Sequence, residues 1–358
     1  MSPPLRPIIA TGATLAGGAA GGALFTVLHL PMPWLLGAIG GAAAAAMAGL
    51  PARLPNGLRA AVLVILGLMI GSGVHHDTLT HISRWPISMA AVALYVALVT
   101  TATYRFLRRF AHFDPVTAYF AASPGGLMAM TVMGRAFGGR ERNIAMTHAV
   151  RVVLVLLTIV FSYHLLLGSG AGAAPKAVTV ALSADQWGEL ALIGGGGWVL
   201  GRLLRLPAGE MLGPLLLVAV IQMSGTTVPP LPHLTLLLAE VILGTGIGAD
   251  FAGVTLGQLA HGMALSLVAT LGMLALSLLF SLALRPLTGM PLDALFLALS
   301  PGGLTGISLI ALAMGIEPAF VTAHNVLRVL LILIAGPLVF RAVNARTQRR
   351  AETSEEPR

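Results

Sequence analysis

Ser123-Pro124-Gly125-Gly126-Leu127 returns intact as Ser300-Pro301-Gly302-Gly303-Leu304, 177 positions further along the chain. Proline removes a backbone donor and disfavours helical geometry in the residue before it, and glycine reaches conformations closed to other residues. Each copy sits inside an apolar run, so each reads as a built break in a helix. Matches on either side extend the repeat. Leu30-Pro31 and Leu36-Gly37 recur as Leu206-Pro207 and Leu212-Gly213, Val64-Ile65-Leu66-Gly67 as Val241-Ile242-Leu243-Gly244, and Arg151-Val152 as Arg328-Val329. Matches in one order at offsets of 176 or 177 identify a duplication.

The two copies lie in a chain of 358 residues that is 56% hydrophobic and 9% charged, with a mean hydropathy of +0.89. Such values describe an integral membrane protein. Several apolar runs reach the roughly 20 residues that carry a helix across a ~30 Å hydrocarbon layer, and a strand-like alternation is absent. Ile8 to Leu28 is too long for a signal-peptide core and reads as a retained first helix. Runs such as Gly17-Gly18-Ala19-Ala20-Gly21-Gly22 permit close helix approach. The chain has no cysteine, which excludes disulfides and thiolate-held metals.

The apolar runs predict helices over 8–28, 33–50, 58–74, 86–104 and 144–167, repeated over 187–201, 209–226, 234–250, 262–284 and 319–340. The broken segments fall at 115–134 and 291–315. Basic residues decide between two topologies. If each broken segment dips in and returns, each half has five crossings and the second half is inverted. A cytoplasmic N-terminus then leaves Arg84, Lys176 and Arg285 outside, sixteen basic residues inside, and Arg151 and Arg328 within helices. If both segments cross, the balance falls to thirteen against six. The expected fold is therefore an all-α polytopic membrane protein of two inverted repeats. Each has five transmembrane helices plus one re-entrant or broken Pro-Gly-Gly helix. The repeats occupy 1–168 and 187–341, with an external linker at 169–186 and a disordered cytoplasmic tail at 342–358.

A helix restarting at membrane depth aims free N–H groups and its positive end into the surrounding space, which suits an anion. Ser123, Pro124, Gly125, Gly126 and Ser300, Pro301, Gly302, Gly303 are thus candidate substrate-binding residues; the alternative is a kink that only shapes packing. Arg151 and Arg328 lie well inside their helices, where a charge faces a partner or a cavity. They either surround an anionic ligand such as a carboxylate, or bind nearby carbonyls, or pair with Glu240 in the middle of its helix. His148 and His324 sit close to these arginines as candidate relay or packing groups. His75-His76-Asp77 with His81 is the densest cluster of metal-capable side chains, but its spacing fits no closed metal site. No P-loop, dinucleotide fingerprint or hydrolytic triad is present in a fitting context, so neither catalytic residues, a metal nor a cofactor is expected.

Two apolar units with Ser-Pro-Gly-Gly-Leu, each followed by an Arg-Val helix, resemble the AbrB family of duplicated bacterial membrane proteins, also labelled ammonia monooxygenases. The likeness runs from about Ala10 to Arg341. It implies an inner-membrane protein linked to regulation of gene expression, and it supplies no agreed site residues. A monooxygenase would need a metal or flavin site, for which only the His75 cluster offers side chains. Direct nucleic-acid contact would need a basic reading element that the short, partly acidic tail does not provide. The expected partners are the lipid bilayer and a small, anionic solute, with self-association open. The function expected is a secondary transporter or permease in the bacterial inner membrane, both termini cytoplasmic. A membrane sensor or regulator is the alternative, and a metal-dependent monooxygenase a weaker one.

Overall fold

A computed structural model describes residues 5–50, 54–74, 85–167, 182–254 and 256–354. The first half holds α1 (Leu5–Val27), α2 (Pro33–Met47), α3 (Asn56–Ser72), α4 (Trp85–Phe110), α5 (Pro115–Ala122), α6 (Leu127–Ala136) and α7 (Glu141–Leu167). The second holds α8 (Ala184–Leu203), α9 (Gly209–Met223), α10 (His233–Ala249), α11 (Leu256–Thr288), α12 (Leu292–Leu299), α13 (Leu304–Met314) and α14 (Pro318–Ser354). No strand occurs among the described residues. Among the described residues, four helical stretches are long and apolar enough to cross a membrane: Trp85–Phe110, Glu141–Leu165, Ala264–Thr288 and Pro318–Gly336. Large apolar side chains such as Leu192 (78% exposed) and Leu203 (74%) face outward. In water such a surface would be costly; against lipid it is the expected exterior.

The repeat is visible in the helix starts. α3 and α10 have 17 residues each and follow Pro55 and Pro232. α2 and α9 have 15 each, and both follow a residue in left-handed geometry, Met32 (φ 45°) and Ala208 (φ 51°). α14 runs on to Ser354, through much of the tail expected to lack structure. Between Pro337 and Pro357 the sequence has no helix breaker, and its Ala, Arg and Gln residues are good helix formers.

Packing cuts across the two sequence halves and makes two bodies. One contains α1, α2 and α3 with α8, α9 and α10; the other contains α4 to α7 with α11 to α14. Glycines set the first body, because small residues let backbones approach where lipid gives no hydrophobic drive. Gly17 and Gly21 of α1 face Gly41 and Gly37 of α2, an antiparallel pair. A Cβ on Gly244 would lie 2.6 Å from the Leu35 carbonyl, and one on Gly248 2.5 Å from that of Ile39, so α10 and α2 run side by side in one sense. Gly67 likewise faces Met211, and Gly71 faces Leu215, which aligns α3 with α9. α3 and α10 cross in opposite senses. Thr235 at the start of α10 approaches Met69 near the end of α3, while Arg59 near the start of α3 shares a cavity with Ile247 and Asp250 at the end of α10.

In the second body each Ser-Pro-Gly-Gly stretch separates two short helices. Asp114 caps α5, accepting from the Thr117 N–H (2.9 Å) and hydroxyl (2.6 Å), with Pro115 in the first turn. Beyond the break the chain turns back on itself. The Arg140 N–H donates to Thr117 Oγ1 at 2.8 Å, and Arg140 Nε lies 3.9 Å from Asp114 Oδ2. The residues after α6 therefore return to the start of α5. Eight residues of α5 rise only about 12 Å. From that point α7 climbs to Tyr163, whose phenol interacts with Asp293 at the start of α12.

Candidate functional site

Both breaks open into one cavity of about 720 Å³ between the two bodies. Gly126 and the first turn of α6 (Leu127, Met128, Ala129) line it together with Gly302, Gly303 and the first turn of α13 (Leu304, Thr305, Gly306). α6 and α13 thus begin facing the same space, and the amides of a first helical turn have no partner in their own helix. Two positive helix ends converge there. The opposite wall comes from α3, α9 and α10 and carries Arg59, Glu210 and Asp250. Arg59 lies within electrostatic reach of Asp250, so this wall is of mixed charge, whereas the helix starts at the breaks present positive ends.

The four glycines are not equivalent. Gly303 has φ 84° and ψ 144°, a conformation that residues with a Cβ avoid. Gly126, its counterpart, has φ −70° and ψ 139°, ordinary extended geometry. Gly125 and Gly302 are buried with Pro124 and Pro301. A Cβ on Gly125 would press on Met130, and one on Gly302 on Ile307 and Val155.

Arg151 and Arg328 are 2% and 1% exposed and stand at the same depth, ten residues and about 15 Å into α7 and α14. Their guanidinium groups turn to the backbone. Arg151 Nη1 donates to the Ala121 carbonyl (3.2 Å) and Nη2 to that of Ser123 (3.3 Å); Arg328 Nη1 donates to the Ser300 carbonyl. Each arginine thus caps the negative C-terminal end of the first half-helix in its hairpin, which is one of the roles the sequence leaves open. The Ser123 and Ser300 hydroxyls donate in turn to Tyr119 and Phe296 carbonyls, four residues back. Nε of each arginine is buried without a hydrogen-bond partner among the described residues. Arg328 lies within electrostatic range of Arg151, and neither pairs with an acid among the described residues. Glu240 of α10, 6% exposed, is not their counter-ion. Two like charges are therefore held one layer behind the cavity wall, whose members include Val152 and Val329.

His148 Nδ1 lies 2.6 Å from Arg151 Nη2, so it accepts, and its Nε2–H donates to the Phe120 carbonyl (2.9 Å). This fixes a neutral ring: a proton on Nδ1 would meet the arginine, so the arrangement does not suit a relay. The counterpart of His148 is Asn325, whose Oδ1 accepts from Arg328 Nη2 at 2.6 Å. Sequence reasoning missed Asn325, although the 177-residue offset from His148 points to it. His324 serves elsewhere. Its Nδ1 bonds the Phe320 carbonyl (2.8 Å), its Nε2 pairs with Ser88 Oγ (2.8 Å), and its ring contacts Trp85. Tyr95, also missed, is buried within electrostatic reach of both arginines while its hydroxyl bonds Ser277 at 2.9 Å. The His75–His81 cluster lies outside the described residues.

Apolar helices on every side, two broken hairpins and a shared internal cavity define a polytopic helical membrane protein. The chain belongs to the AbrB family, whose model, described as "Transition state regulatory protein AbrB", matches residues 34–344. It is similar to the "Putative regulator AbrB" of Escherichia coli (strain K12), 32% identical over 63% of this chain and 66% of that protein, just under two thirds of its length. It is also similar to the "Uncharacterized protein YhjN" of Bacillus subtilis (strain 168), 26% identical over 92% of both. No solved structure matches this chain.

Proposed function

We propose that the chain is a secondary transporter of a small anionic solute in the bacterial inner membrane, working by alternating access between inverted repeats, with both termini cytoplasmic. One observation carries the reading: the broken hairpins of the two halves present their helix starts to a single cavity between two bodies. Paired helix N-termini attract an anion, and the uncompensated Arg151 and Arg328 behind them raise the potential further. A bound anion would relieve the repulsion between those two charges.

Inversion draws support from helix directions. α3 runs parallel to α9, the counterpart of α2, whereas α3 and its own counterpart α10 cross in opposite senses. The starts of α5 and α12 are separated by nearly the length of α7, through Arg140 at one end and Tyr163 at the other. With α3 rising from the cytoplasm, as the basic residues favour, the cavity faces inward. The reading involves no enzymatic step and no direct nucleic-acid contact. The regulator wording attached to the relatives is compatible with an indirect effect, through the concentration of the solute moved.

The test is uptake by reconstituted protein of a panel of labelled mono- and dicarboxylates, phosphate and sulfate. Gly126→Leu, which projects into the cavity from unstrained backbone, is expected to lower uptake at least tenfold while leaving the protein folded. Uptake of every anion unchanged by this variant and by Arg328→Gln refutes the site.

A further inference from the structure

The cavity does not obey the repeat. Its α3 wall consists of Asn56, Arg59, Ala60 and Leu63. The register between α3 and α10 is strict, with equal lengths and a proline before each, so Asn56, Ala60 and Leu63 map onto His233, Leu237 and Glu240. These counterparts line no such cavity: His233 and Leu237 are half-buried and Glu240 is buried. His233 Nε2 is buried without a partner, and Glu240 is 6% exposed, paired with no cation and no hydrogen-bond donor among the described residues. Polar groups held without partners in so apolar a wall are costly unless another state hydrates them.

The hairpins differ in the same way. α13 docks on α3, α10 and α7, and its Ile307, Leu309 and Ile310 are fully buried. Among the described residues its counterpart α6 packs chiefly on α5 and α7, leaving Met128 68% and Val132 65% exposed. Equivalent sequences thus occupy two environments, and exchanging those environments generates a second arrangement. α6 would then dock against α10 and α3, α13 would withdraw, and space would open along the first turns of α10.

We propose that this second arrangement opens a vestibule on the face opposite the observed cavity, lined by His233, Leu237 and Glu240, in which Glu240 is the proton-binding group. The inference rests on the alternating-access reading. A proton is the ligand that one isolated carboxylate can hold, since a metal cation of this class requires several oxygens. In the open vestibule water solvates the carboxylate. On closure one Glu240 oxygen takes a proton from hydronium in the vestibule: the carboxyl O–H bond forms as one O–H bond of hydronium breaks, leaving neutral water behind. Among the described residues, the elements packed on α10 supply little competing charge. α2 and α13 have no charged residue, α1 has only Arg6 near its start, and α3 has only Arg59, at the far end beside Asp250. On α10 itself the ionisable side chains are His233 and Glu240, with Asp250 following at its cap.

Because the chain has no cysteine, single-cysteine accessibility tests this in the full-length protein reconstituted in vesicles. Leu237→Cys is expected to react with a membrane-impermeant thiol reagent from the face opposite that which labels Ala60→Cys. Relative to the same cysteine in the Glu240→Gln background, which carries the thiol's own ionisation alone, its rate should fall about tenfold further per pH unit on the acid side of Glu240 ionisation. Glu240→Gln should leave the thiol's own pH dependence alone, and Glu240→Asp should keep the additional fall with a displaced midpoint. No labelling of Leu237→Cys, labelling from the same face as Ala60→Cys, or a pH profile unmoved by either Glu240 change overturns the proposal. The readout needs no solute, so the two readings fail separately. Face-specific, pH-dependent labelling with no anion transported sinks transport alone, whereas uptake without labelling sinks the vestibule alone.

Discussion

Gly126 and Gly303 occupy the same place in the repeated stretch, yet alanine at the two positions should have opposite effects. At Gly303 (φ 84°, ψ 144°) a Cβ meets only Val152, at 3.9 Å, so the penalty lies in the backbone, roughly 1–3 kcal/mol for this region of conformational space. At Gly126 (φ −70°, ψ 139°) a Cβ meets nothing within 4 Å. Alanine there restricts the unfolded chain without straining the folded one and is worth about 0.4–1 kcal/mol of added stability. The two variants should therefore differ by about 1.5–4 kcal/mol, roughly one to three decades in the unfolding equilibrium. Thermal unfolding of purified protein in one detergent reads this as a separation of several degrees, with Gly303→Ala below the parent and Gly126→Ala at or above it. Equal losses, or a greater loss at Gly126, would refute the claim that the two breaks have different backbone geometry.

At the α8–α9 contact, Gly197→Ala would place a Cβ 2.6 Å from Pro214 N and should destabilise by about 1–3 kcal/mol, whereas Gly196→Ala, 3.6 Å from Leu217, should be near neutral; thermal stability distinguishes them. His148→Asn keeps an acceptor for Arg151, as Asn325 does for Arg328, and should unfold close to the parent; His148→Leu orphans a buried donor and should lower stability by about 1–3 kcal/mol. Reporter fusions after Arg140 and after Glu317 should be accessible from opposite faces of the membrane. Arg151→Gln and Arg328→Gln should each reduce anion uptake while leaving the protein in the membrane, measured by transport per reconstituted molecule.

Much of the architecture is legible in the sequence because lipid makes two features unavoidable. Spanning helices must be long and apolar, and a Pro-Gly-Gly break in one must be repaired by surrounding protein. The helix starts of both halves follow from that and from the offset. The neighbours of each helix do not. A helix in lipid can be apolar all round, so periodicity leaves its packing face unmarked, and the pairing of α2 with α10 and of α3 with α9 appears only as glycines meeting carbonyls. Arg151 and Arg328 stand out in the sequence as charges in the wrong solvent, but whether a guanidinium faces a ligand or a carbonyl depends on where the chain turns after Ser123 and Ser300.

By itself the sequence determined a duplicated, membrane-embedded helical chain, the positions of its two breaks and the two buried arginines. Only the tertiary structure decided that both breaks share one cavity, that the arginines cap the half-helices beside it, and that α13 is docked while α6 is not. The reason is physical. Equal residues at equal offsets have equal local preferences, but packing between bodies depends on how the two halves sit together, and that arrangement breaks the symmetry the sequence carries.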